Sequence, residues 1–103
     1  MFDDEILQAE KARAAGNEGM ARVCARRAAG AVAGEYYQRQ SITLDSPSAY
    51  DRLRFLSDLS DISPRARQAA EHLLARLTPE FTLPVQADLV AEARGLRQEL
   101  LGE

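Results

Sequence analysis

The chain has one cysteine, Cys24, one histidine, His72, and no tryptophan. A single cysteine excludes an intrachain disulfide framework and any zinc site built on cysteine pairs. A single histidine excludes a two-histidine metal centre. No apolar run approaches the 18 or so residues of a membrane-spanning helix. The opening Met-Phe-Asp-Asp-Glu is acidic where a signal peptide would be basic, so a cytoplasmic protein with no membrane partner is expected. Glycine and proline are sparse, six and four of 103 residues, which argues against a disordered or fibrous chain. No β-branched or aromatic stretch alternates with period two, so no strand is predicted. There is no glycine-rich phosphate loop: Gly16-Asn17-Glu18-Gly19 lacks the strand before it and the lysine after it.

What is present is alanine, leucine and arginine. A chain of this size folds as one domain and buries about 65% of its extended surface. With three Phe and three Tyr, alanine and leucine must fill that core, which suggests closely packed helices. The net charge of −3 opposes nucleic-acid binding in general, and DNA is not expected. The charge is segregated, however. Residues 1–10 sum to −4, residues 11–39 to +4 and residues 40–103 to −3. Twelve arginines against one lysine suit bidentate pairing with carboxylate or phosphate, and the basic segment keeps RNA open as a ligand.

Five helical segments are predicted. The first spans Asp3 to Ala15, with acids in its first turn and Gly16-Asn17 as its stop. The second spans Gly19 to Arg39, with Met20, Val23, Cys24, Ala28, Ala31 and Val32 at helical spacing. Ser46-Pro47 and Ser63-Pro64 each read as an N-cap followed by proline at the first helical position. They open a third segment to Leu59 and a fourth to Leu77, the latter striped by Ala66, Ala69, Ala70, Leu73, Leu74 and Leu77. After a rigid connection, Thr78 to Pro84, anchored by Phe81 and Leu83, a fifth segment runs from Leu83 to Leu101 on the stripe Val85, Leu89, Ala93, Leu96, Leu100.

Four groups of residues invite a functional reading. His72 is the one side chain whose ordinary pKa lies near neutrality. It falls about 130° to 140° from the apolar centre of its helix and is expected to face solvent or a partner. Arg65 lies about 10 Å along nearly the same face, while Arg67 is better placed to pair with Glu71 one turn on. Arg22, Arg26 and Arg27 form either an anion or RNA-phosphate patch or a complement to Asp3, Asp4, Glu5 and Glu10. Gly30, Ala33, Gly34 and Tyr37 form a small-residue stripe, read either as core packing or as a dimer interface. Cys24 sits in an apolar stripe and is expected to be a buried small hydrophobe. No metal site and no cofactor are predicted.

Three stretches carry a family resemblance: the opening Ala9 to Arg13 through Gly16 to Arg22 and on to Ala25–Gly30; Ser48 to Leu56; and Leu77 to Pro84 with Asp88 to Ala93. Their order resembles the HEPN domain family. The resemblance implies an all-α, antiparallel (up-and-down) four-helix bundle with a short additional helix, formed as a homodimer. It also implies a role as endoribonuclease, toxin–antitoxin component or accessory partner of a small nucleotidyltransferase. Active members carry an arginine, four to six intervening residues and then a histidine, contributed to a dimer cleft. Arg67-Gln68-Ala69-Ala70-Glu71-His72 has that spacing, and so does Arg65 to His72. The residue after the arginine is Gln68 or Ala66 rather than Asn, Asp or His, and the match lies mid-chain. The expectation is therefore a non-catalytic, homodimeric interaction module. The alternative is a metal-independent RNase in which His72 acts as acid–base and Arg67 or Arg65 stabilises phosphate charge.

Overall fold

A computed structural model describes residues 1–75 and 87–103. Among them are five α-helices and no strand: α1 (Phe2–Ala14), α2 (Glu18–Arg39), α3 (Ala49–Ser57), α4 (Pro64–Leu74) and α5 (Leu89–Leu101). Leu77, the Thr78–Pro84 connection and Val85 lie outside the described residues.

Local chemistry sets the helix starts. Asn17 accepts the Met20 N–H at 3.1 Å and opens α2, and Gly16 at φ +80° makes the preceding turn. Ser63 accepts the Ala66 N–H with Pro64 at the first position of α4, as its Ser-Pro pair predicts. The same reading fails for α3. There Ser48 is the cap, accepting the Asp51 N–H, and Pro47 precedes it. Ser46 is diverted, its hydroxyl donating to Asp51 at 2.8 Å. Asp88 caps α5 by accepting the N–H groups of Val90 and Ala91.

The long helix α2 is the hub. It packs against α1, α3 and α5, and α4 closes a ring by packing on α3 and α5. The work of filling the core is divided. α2 presents Ala21, Ala25, Ala28, Ala29 and Ala33, all fully buried, so that neighbouring helices approach closely. The bulk comes from the other side: Leu53 and Leu56 of α3, Leu73 of α4, Leu89 and Leu96 of α5. Cys24 is buried among them, as expected. No polar or charged residue is buried among the described residues.

The small-residue stripe of α2 is filled from within the chain. A Cβ added at Gly30 would stand 2.6 Å from the Ala49 Cβ and 2.8 Å from its Cα. One added at Gly34 would stand 2.8 Å from a terminal nitrogen of Arg52. Ala33 and Tyr37 are buried, and the Tyr37 hydroxyl donates to the Arg52 carbonyl at 2.5 Å. The reading of Gly30, Ala33, Gly34 and Tyr37 as a dimer interface is thus corrected: α3 occupies that surface.

Candidate functional site

His72 is not a free surface histidine. Its side chain is 24% exposed and its Nδ1 lies 3.1 Å from Glu92 Oε2 of α5, itself 27% exposed. α5 packs beside the core stripe of α4 and widens the covered face, so the angle from the α4 stripe alone places His72 too far outward. With its proton on Nδ1, the ring donates to Glu92 and leaves Nε2 as the basic nitrogen, the arrangement of an oriented general base. Glu92 was overlooked in the sequence. Its signal is its position, three residues after Leu89 and four before Leu96, which places it on the flank of the α5 core stripe. Beside the pair, a cleft of about 290 Å³ between α4 and α5 is lined by Arg65, Gln68, Ala69, Ala91, Glu92 and Gly95.

Arg67 does not join this site, nor does it pair with Glu71. Its guanidinium donates to the carbonyls of Ser57, at 3.3 Å, and Leu59. These are the carbonyls at and just past the C-terminal end of α3, where unpaired acceptors and the negative end of the helix dipole attract a cation. The two catalytic arginine candidates therefore separate: Arg65 stays exposed on the cleft, and Arg67 staples α3 to α4.

The basic segment of α2 divides in the same way. Arg26 reaches α4 and donates to the carbonyls of Leu73 at 2.8 Å and Ala75 at 2.5 Å, closing that helix's C-terminus. Arg27 lies 3.9 Å from Glu5 of α1, and Arg22 is half-buried one turn before Arg26. The three do not converge on one anion site. Nor do the acids of α1 mainly answer α2. Glu10 pairs with Arg94 at 3.0 Å and Asp3 with Arg97 at 3.6 Å, both on α5. Arg13 bridges Glu18, at 2.8 Å, and Asp88, at 3.0 Å. The hydrogen bond from Arg13 holds the Asp88 carboxyl below its ordinary pKa, helped by the backbone N–H groups that it caps.

Sequence reasoning also missed a groove formed where α1, α2 and α5 meet. It is lined by Arg39, Arg52 and Arg97, three arginines from three helices. Arg52 is held by the carbonyls of Ser46 at 3.1 Å and Gly30 at 3.3 Å. Arg39 pairs with Glu35 at 3.2 Å and with Glu103 at 3.0 Å.

Among the described residues no group of three side chains is arranged to hold a metal ion, and no helix is long and apolar enough to cross a membrane. The chain matches no family model, no curated protein and no solved structure.

Proposed function

We propose that this chain is a non-catalytic, HEPN-like helical interaction module that acts through protein contacts, with a second copy of itself or a small nucleotidyltransferase as partner. One observation carries the reading. Arg67 and His72, the pair with the nuclease spacing, do not meet within the chain: Arg67 is bound to the end of α3 and His72 to Glu92. The ring of contacts α2–α3–α4–α5, with α1 packed on α2, supports a four-helix bundle carrying an additional helix. Self-pairing would use a face other than the glycine stripe; Leu7, Met20 and Val23 are large apolar side chains left exposed on α1 and α2.

A second reading rests on the His72–Glu92 pair beside the Arg65 cleft. In a metal-independent RNase, Nε2 of His72 would take the 2′-hydroxyl proton while Arg65 held a neighbouring phosphate. An RNA-cleavage assay in EDTA decides between them. The expected result is no cleavage by the wild type; cleavage that both His72→Ala and Arg65→Ala abolish would replace the module by the nuclease. Sedimentation at micromolar concentration tests self-pairing: twice the chain mass of 11.3 kDa is expected, and 11.3 kDa would remove that part of the reading.

A further inference from the structure

The groove at the junction of α1, α2 and α5 has a volume of about 570 Å³. Phe2 and Leu101 give it apolar surface, and Arg39, Arg52 and Arg97 give it positive charge. A carboxylate already sits in it. Glu103 Oε2 accepts from Arg39 at 3.0 Å and Oε1 accepts from Arg97 at 3.3 Å, one arginine to each oxygen. Gly102, at φ +71°, turns the chain out of α5 and brings Glu103 back over the groove.

The two arginines do not depend on Glu103 for their placement. Arg97 lies 4.6 Å over the Phe2 ring and 3.6 Å from Asp3. Arg39 is held at 3.2 Å by Glu35, one turn before it on α2. Both arginines keep a partner when Glu103 leaves, so part of their freedom is already lost before a ligand enters. The occupant is weakly held, because Arg39 and Glu103 are each nearly half exposed and ion pairs of that kind are screened. Its advantage is that it is tethered, so it competes at high effective concentration.

We propose that this groove accepts an acidic segment of a partner protein. A carboxylate of that segment replaces Glu103 between Arg39 and Arg97, and a neighbouring apolar side chain rests on Phe2 and Leu101. The inference rests on the interaction-module reading and names the chemistry of the partner. Glu35 and Asp3 flank the clamp; they tolerate a single carboxylate but repel the repeated charge of a nucleic acid, so a protein segment is the fitting occupant.

A labelled, amidated peptide with the sequence of residues 99–103 tests this by fluorescence polarisation against the full chain. Glu103→Gln should bind it about five- to tenfold more tightly than wild type, since the tethered competitor is gone. Adding Arg39→Gln or Arg97→Gln to that variant should abolish the gain, and a peptide ending in Gln should not bind. Circular dichroism melts confirm that each variant is folded. The proposal is overturned if Glu103→Gln binds no more tightly than wild type, if binding survives both arginine substitutions, or if an RNA oligonucleotide outcompetes the peptide. A failed titration removes this site alone and leaves the module to the cleavage and sedimentation measurements. His72-dependent RNA cleavage would remove the module and leave the peptide result standing.

Discussion

The two flanks of α2 are built on different physics. Toward α3 the contact is steric: Gly30 admits the Ala49 backbone at a distance that no side chain could share. On the side of α1 and α5 the outer contacts are long and polar: Arg27 of α2 reaches Glu5 of α1, and Arg94 and Arg97 of α5 reach Glu10 and Asp3 of α1. Where backbones touch, a single methyl group forces a helix to move. Where arginines touch carboxylates in water, each contact is weak and replaceable. The difference explains why the polar flank carries the candidate binding groove: only there can a partner exchange one contact for another without disturbing the core.

Five substitutions grade that contrast, each measured by urea unfolding unless stated. Gly30→Val should cost most, about 3 kcal/mol, because Ala49 meets the new side chain with backbone as well as its methyl. A loss under about 1 kcal/mol would show that α3 can slide and that the steric account is wrong. Arg26→Ala comes next, at about 2 kcal/mol, through the carbonyls of Leu73 and Ala75 left unpaired at the end of α4.

Tyr37→Phe removes the bond to the Arg52 carbonyl and should cost about 1 kcal/mol. Burial raises the Tyr37 pKa. The folded chain therefore holds that proton more tightly, and the stabilisation is present below the ordinary tyrosine pKa of about 10 and lost as pH rises above it. The Phe variant should lose less stability in alkali than wild type; equal loss would place the effect elsewhere.

Asp88→Asn keeps a capping oxygen but removes the charge facing Arg13. At neutral pH it should cost about 0.5 kcal/mol, small because the pair is exposed. The Asp88 pKa is depressed in the fold, so its contribution is present above the ordinary value near 4 and lost as pH falls through the folded value. The two unfolding curves should converge in acid, and a gap that persists there would point to the cap instead. Gly34→Ala should change stability by less than about 0.5 kcal/mol. The methyl displaces only the tip of Arg52, and alanine's helix preference of about 1 kcal/mol offsets the crowding. If it proves as damaging as the change at Gly30, Arg52 is fixed more rigidly than its two carbonyl bonds imply.

Much of the fold was legible before any tertiary structure. The Ser63-Pro64 start, the burial of Leu73, Leu89 and Leu96 and the burial of Cys24 all follow from spacing and capping chemistry. The start of α3 was misplaced by two residues because Ser46 and Ser48 carry the same local signal, and only the bond from Ser46 to Asp51 separates them. The candidate site was less legible. The angle on one helix points His72 outward, but its burial depends on α5, which lies seventeen or more residues downstream. The i,i+4 rule offers Glu71 to Arg67, and two carbonyls at and just past the end of α3 compete more strongly.

By itself the sequence determined the five helices of the described residues and nearly where the first four start, because helical periodicity and caps act over a few neighbouring residues; the fifth, expected from Leu83, opens only at Leu89 behind its Asp88 cap. It also determined that the core would be alanine against leucine, because nothing bulkier was there in number. Only the tertiary structure decided what the arginines do. A guanidinium on a long, flexible stem bonds any oxygen that packing brings within reach. Arg26, Arg52 and Arg67 met helix and loop carbonyls, whereas Arg39 and Arg97, 58 residues apart, met the same carboxylate.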